Sequence, residues 1–219
     1  SFPIGKRIMQ QARALIMADE GLRGPPLNYA EGAILPETYT YDFGTKRIDL
    51  MREMAGAMTA AVAQAWQQRQ PDLPLRSEFE LLVLASIVEK ETPLKAEMPR
   101  VAGVYLNRLR QGMRLQADPT LVYFEHMVDG QTYGEVNLTR ADLQQDHPYN
   151  TYTRKGLPPG PIGLPSRAAL LAVAQPAQTD ELFFVADGRG GHVFARTYAE
   201  HQRNVKRYLA VRRLANEGR

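Results

Sequence analysis

Two glutamates stand two residues apart in ASIVEKETPL, Ala85 to Leu94, directly after the apolar run that begins LLVL. A carboxyl held in apolar surroundings keeps its proton to higher pH, which is what a general acid at neutrality needs. Helical geometry tells the two apart. With Leu84 at zero and about 100° per residue, Leu81 falls at about +60°, Val88 at about +40° and Ile87 at about −60°. Glu91 lands at about −20°, inside this apolar stripe, and Glu89 at about +140°, beside Leu82 and Ser86. The two carboxyls point to opposite sides and do not form a catalytic pair. Glu91 prolongs the buried face at the C-terminal end of the helix, where burial and the negative end of the helix dipole both disfavour the ionised form. It is the candidate general acid. The competing reading is a terminal glutamate turned to solvent and paired with Lys90, Lys95 or Arg100. Glu89 reads as a solvated or salt-bridged surface residue.

Further candidates lie downstream. In NRLRQGMRLQADPT, Arg108 and Arg110 fit the solvated face of a helix that Gly112 ends as a left-handed cap. Gln116, Asp118 and Thr120 lie beyond that cap, in a polar stretch suited to hydrogen bonding a polar ligand, although Asp118-Pro119 is also a turn signal. YNTYT supplies Tyr149, Asn150 and Tyr152, side chains able to stack on sugar rings and bond hydroxyls or amides. His192, two residues from Phe194 on a predicted strand, either borders a cleft or is an ordinary strand histidine.

Several chemistries drop out. The chain has no cysteine, which removes disulfides, thiolate catalysis and cysteine metal sites. His126, His147, His192 and His201 show no tight ligand spacing, so neither a metal nor a cofactor is expected. DGRGGH lies between two predicted strands and reads as a hairpin turn, not a phosphate loop.

The elements that must position these residues are mostly helical. A helix is expected over Lys6–Ala18, then a proline- and glycine-rich stretch with a β-prone piece at Thr38–Phe43. Helices follow from Ile48 to about Arg69, from Ser77 to about Glu91 and from Lys95 to Gln111. The second opens on a capping box, Ser77-Glu78-Phe79-Glu80. From Met113 to Pro165 periodicity is mostly lost. RLQADPTLVYFE is an extended piece or a short helix, and LTRADLQQD a short helix capped by Thr139. Residues 147–166 form a long polar, proline-rich loop in which Gly156–Pro165 is a cleft wall or a stiffened connection. Such a long loop in a compact domain is usually functional or disordered, and its tyrosines favour an ordered binding surface. Ser166 caps RAALLAVAQ. A hairpin pairs Leu182–Ala186 with His192–Arg196. A second capping box, Thr197 to Glu200, starts a final helix to about Ala215.

At 219 residues, 44% hydrophobic and 23% charged, the chain can build a proper core. Its formal charge of +3 suits an anionic polymer or membrane surface and does not argue for nucleic acid. No run is long enough to cross a bilayer, and the start at Ser1-Phe2-Pro3 suggests a piece of a longer protein.

Taken in order, EGAILPETYTY, ASIVEKET, VAGVYLNRLRQGMRLQADPTLVY, YNTYTRKGLPPGPIGLPS and LFFVADGRGGHVF resemble the MltG/YceG-type endolytic murein transglycosylases over roughly residues 31–209. The resemblance implies an α+β fold with a lysozyme-like helical catalytic core, a late β-hairpin and long ordered loops. It implies cleavage of peptidoglycan strands between N-acetylmuramic acid and N-acetylglucosamine, with formation of 1,6-anhydro ends. Glu91 matches the family's catalytic glutamate, acting first as acid and then as base. Gln116, Asp118, Thr120, Tyr149, Asn150, Tyr152 and His192 are expected to position the sugar. Residues 1–30 would be the remnant of a LysM-like module or linker and 31–219 the catalytic domain. Partners would be glycan strands, peptidoglycan synthases and divisome proteins, at the periplasmic face of the inner membrane, with any membrane anchor outside this chain. Two alternatives stay open: a lysozyme-like muramidase using Asp118 as second carboxylate, and a non-catalytic glycan-binding or divisome scaffold module.

Overall fold

A run such as LLVLASIV leaves no broad face for water, so the helix that carries it has to be enclosed. The computed structural model describes residues 31–43, 46–129 and 138–217. The expected helix at Lys6–Ala18 lies outside them. In chain order the helices and strands are α1 (Arg47–Gln67), α2 (Glu78–Glu91), α3 (Met98–Arg110), α4 (Asp118–Asp129), a single 3₁₀ turn (Asp142–Gln144), α5 (Arg167–Ala174), β1 (Phe183–Ala186), β2 (His192–Ala195) and α6 (Tyr198–Glu217). The fold is mixed α+β: helices packed around α2, with a two-stranded antiparallel hairpin at one side.

α2 is the axis of the core. Leu81 and Val83 to Val88 are all buried, and α1, α3, α4 and α5 pack around the helix. Ser77 starts it by accepting the Glu80 N–H at 3.3 Å, as a capping residue should. The Glu80 carboxylate returns one residue further out than a capping box requires, accepting the Arg76 N–H at 2.7 Å. The box at the start of α6 closes as expected: Thr197 Oγ1 accepts from Glu200 N at 3.2 Å, and Glu200 Oε2 from Thr197 N at 3.1 Å.

The face of α2 opposite Glu91 is covered by residues 156–165. Ser86 Oγ donates to the Val83 carbonyl and accepts the Ile162 N–H at 3.0 Å. Gly163 lies so close that an added Cβ would sit 2.7 Å from Cε of Lys90. Glu89 is half-buried and accepts both the N–H and the hydroxyl of Ser166, the N-cap of α5, at 2.9 and 2.6 Å. This corrects the surface reading of Glu89: its side of the helix faces a loop, not solvent. Gly156–Pro165 is accordingly a packed connection and lines no part of the cleft described below.

The hairpin pairs Phe183 with Ala195 and Ala186 with His192. Two strands alone are marginal in water, so both faces must be covered. On one face Phe184 meets the Tyr105 ring edge-on at 5.7 Å, and the Arg100 guanidinium lies over Phe194 at 4.2 Å, both from α3. On the other, Phe183 stacks with His201 of α6 at 5.3 Å.

Three other expectations changed. Thr38–Phe43 forms no strand. RLQADPTLVYFE divides into an irregular lead and the helix α4, because Pro119 is tolerated in a first turn that needs no N–H donor. LTRADLQQD makes only the 3₁₀ turn, where Thr139 and Asp142 exchange side-chain-to-backbone bonds.

Gly103 on α3 is a sensitive packing point, since a Cβ there would meet the Ala177 carbonyl oxygen at 2.8 Å and Thr179 Cγ2 at 2.9 Å. Gly103→Ala is expected to lower unfolding free energy by about 1–3 kcal/mol, despite alanine's better helix propensity. Gly56→Ala on α1 meets nothing within 4 Å and should raise it by about 0.5–1 kcal/mol. Urea titration of the two variants measures both.

Candidate active site

Glu91 is the last residue of α2 and opens onto a cleft of about 470 Å³. The walls come from four places. α3 contributes Tyr105 and Arg108; the turn before α4 contributes Gln116, with Asp118 opening that helix; the loop after the 3₁₀ turn contributes Tyr152; and the hairpin with α6 closes the far side.

The Tyr105 hydroxyl donates to Oε1 of Glu91. Tyr105 is 1% exposed, and burial with the adjacent glutamate pushes its pKa well above the usual phenol range, so it stays a donor. Burial raises the Glu91 carboxyl from 4.5 to about 7. The Tyr105 bond opposes that rise, Asp118 reinforces it, and Arg108 opposes it. Of the pairings weighed from the sequence, the described ion pairs give Glu91 none, and Arg100 instead holds Glu181.

The surrounding polar groups fall into two sets. Gln116, Asp118, Tyr152 and His192 line the cleft with Glu91. Gln116 sits in the left-handed region, φ 50°, a conformation unfavourable for a non-glycine residue and held here by its N–H to the Thr151 carbonyl at 3.1 Å. The Tyr152 hydroxyl donates to Oδ1 of Asp118. His192 is clasped by Glu97 at the start of α3, which accepts its N–H at 3.0 Å and pairs with Nδ1 at 2.8 Å.

Thr120, Tyr149 and Asn150 lie behind this surface. Thr120 is fully buried, its hydroxyl 2.9 Å from that of Thr151 and donating to the Ala117 carbonyl. Asn150 is fully buried as well; its amide donates to the carbonyls of Asp142, Leu143 and Gln145, and its Oδ1 accepts the Tyr152 N–H at 2.8 Å. Tyr149 packs its ring against Tyr123 at 5.0 Å. These three build the scaffold on which Gln116, Asp118 and Tyr152 stand. None of the three is among the residues that line the cleft.

Sequence reasoning passed over Tyr105 and Arg108. Arg108 is 7% exposed, not a solvated helix residue. It donates through Nε to the Leu182 carbonyl at 2.7 Å and through Nη1 to that of Leu115, joining the hairpin to the turn before α4. The signal was available: Val101, Tyr105 and Arg108 follow i, i+4, i+7 spacing, so Arg108 continues an apolar stripe as Glu91 does. Among the described residues no group of His, Cys, Asp or Glu has the arrangement of a metal site.

Glu91's raised pKa costs stability. The folded protein holds a proton that the unfolded chain releases, so stability falls as pH rises from about 4.5 to about 7. The loss above that window is about 3 kcal/mol at 1.4 kcal/mol per pH unit. Glu91→Gln, which mimics the protonated acid, is expected to be more stable than wild type at pH 8 by roughly that amount, and nearly equal at pH 5. Paired urea melts at the two pH values check the crossover.

Comparison with known proteins gives the family of the chain. The sequence profile of the YceG-like family matches residues 2–207. A Bacillus subtilis (strain 168) protein named endolytic murein transglycosylase is 34% identical over 181 residues, 82% of this chain and 48% of its own length. A Streptococcus pneumoniae (strain D39) protein of the same name is 33% identical over 181 residues, 82% of this chain and 32% of its own. The crystal structure of a YceG-like protein from Listeria monocytogenes matches with a TM-score of 0.66 at 30% identity, over 92% of this chain and 63% of that one. The chain therefore spans about half or less of the curated relatives it matches. With a family profile covering nearly its whole length, the chain belongs to the YceG-like family.

Proposed function

We propose that the protein is an endolytic lytic transglycosylase that cuts peptidoglycan strands between N-acetylmuramic acid and N-acetylglucosamine, with Glu91 as its general acid and then its base. The observation that carries this reading is a desolvated carboxyl with a pKa of about 7 at the floor of a polar-edged cleft. Relatives bearing the name endolytic murein transglycosylase support the substrate.

Tyr105 occupies Oε1, which leaves Oε2 to carry the proton towards the substrate. Oε2–H protonates the glycosidic oxygen as the bond to C1 of the muramyl residue breaks. The muramyl 6-hydroxyl then closes on C1, and its proton passes to the Glu91 carboxylate. The products are a 1,6-anhydromuramyl end and a free 4-hydroxyl, and the acid is restored. An internal nucleophile brings a high effective concentration and needs no second activating carboxylate. In this reading Asp118, bonded to Tyr152, faces positive charge developing at C1; its place in the cleft lining with Gln116 and His192 supports that role. We read the α2-centred core as lysozyme-like and assign the activity to residues 31–219. We place the reaction at the periplasmic face of the inner membrane, where synthases and the division machinery present nascent strands. No described helix is long and apolar enough to cross a membrane.

Asp118 also favours a second reading, a muramidase in which it serves as the second carboxylate. Mass spectrometry of digested murein separates the two, because hydrolysis yields reducing ends one water heavier than anhydro ends. Glu91→Gln is expected to cut activity by about 10²–10⁴-fold. Undiminished cleavage by that variant would remove Glu91 from the mechanism.

The pH profile carries a further expectation. Activity should decline as pH rises through about 7 and the acid loses its proton. Tyr105→Phe removes a bond that favours the carboxylate, so it should shift that alkaline limb to higher pH. An unmoved or lowered limb in kcat/KM profiles would contradict this role.

A further inference from the structure

The cleft has two chemically different ends, and the proposed reaction uses only one. Glu91, Gln116 and Asp118 form the polar part, with the Tyr105 and Tyr152 hydroxyls bonded to the two carboxyls, and Arg108 spans both parts, its guanidinium 5.4 Å from the Phe183 ring. The other end is aromatic and is built from the hairpin and α6, outside the helical core. Phe183 of β1 stacks on His201 at 5.3 Å and 23° and meets Tyr198 at 5.9 Å. Tyr208 lines the same end further along α6. Tyr198, His201 and Tyr208 share the inward side of α6, as i, i+3 and i+10 positions do.

Packing accounts for part of this cluster. Phe183 and His201 are half-buried, and His201 Nδ1 is buried with no hydrogen-bond partner among the described residues, so this ring is held by its face. Packing does not account for Tyr198. Its side chain lines the cleft yet stays 61% exposed, the most exposed aromatic of the lining. A saccharide ring has one face of C–H groups and a rim of hydroxyls and amides. Such a ring fits aromatic surface on one side with polar groups along the rim, and a cleft of about 470 Å³ has room for more than one ring.

We propose that Tyr198, backed by Phe183, and Tyr208, about 15 Å further along α6, form two successive stacking positions for saccharide rings of the strand beyond the pair joined by the scissile bond. This rests on the proposed glycan-cleaving function and adds to it a length requirement. α6 and the hairpin grip the strand away from the acid, so binding tightens with the number of saccharide rings that reach them.

The test uses Glu91→Gln protein, which is expected to cut strands about 10²–10⁴-fold more slowly, and peptide-free murein glycan strands as the probe, with dissociation constants from calorimetry. Added Tyr198→Ala or Tyr208→Ala is expected to weaken binding by about 3- to 10-fold each. Tyr198→Phe keeps the ring and should stay within about twofold of the parent. Circular dichroism confirms that each variant is folded. An unchanged dissociation constant in the folded Tyr198→Ala protein overturns the subsite, as does equal weakening by Tyr198→Phe. Cleavage by wild type is measured in parallel. Ring-dependent binding without any cleavage would sink the proposed reaction and keep the subsite; cleavage with ring-independent binding would do the reverse.

Discussion

The structure turns on one carboxyl that has to be buried without being sealed. Desolvation holds Glu91 near neutrality, and that requires apolar matter on every side except the one open to substrate. The solution is a helix buried at Leu81 and from Val83 to Val88, whose final residue emerges at a cleft. Tyr105, more deeply buried, supplies one donor to the carboxyl and so tempers a shift that burial alone would take further. The residues that enclose α2 set the acidity of the site as much as those that touch Glu91.

α3 carries a second burden. Its apolar residues close the core, while its polar ones tie on the hairpin. Glu97 clasps His192, Arg100 pairs with Glu181, Asn107 donates to the carbonyls of Thr179 and Glu181, and Arg108 reaches Leu182. A two-stranded sheet with little core of its own is thereby held in register with the acid. Thr92, just after α2, donates to Glu97 at 3.3 Å, so the same network begins one residue from Glu91.

What could be read from the sequence follows from how local its cause is. The caps at Ser77, Ser166 and Thr197, the hairpin and the inward turn of Glu91 depend on neighbours within a few residues, and helical or strand periodicity reveals them. The stretch from Met113 to Pro165 resisted because its order comes from distant pairs. Ala117 donates its N–H to Thr151, 34 residues on, and Tyr123 packs on Tyr149. In YNTYT the polar composition is the same whether a side chain meets ligand or braces the loop. Only the fold shows that Tyr152 faces the cleft while Tyr149 and Asn150 stand behind it. Arg108 is different: the wheel that singled out Glu91 would have placed it inside, and charge alone argued for the surface.

The Glu89-Lys90-Glu91 triplet looks like a single chemical signature, yet its members answer to three separate neighbours. Glu89 secures the start of α5, Lys90 lies along Gly163, and Glu91 alone meets the cleft. Most of the motif is therefore a record of how two segments dock. Exchange of Glu89 or Ser166 would loosen that docking, whereas exchange of Glu91 would alter the cleft. Docking and cleft chemistry are written side by side in three letters, and only the last faces the cleft.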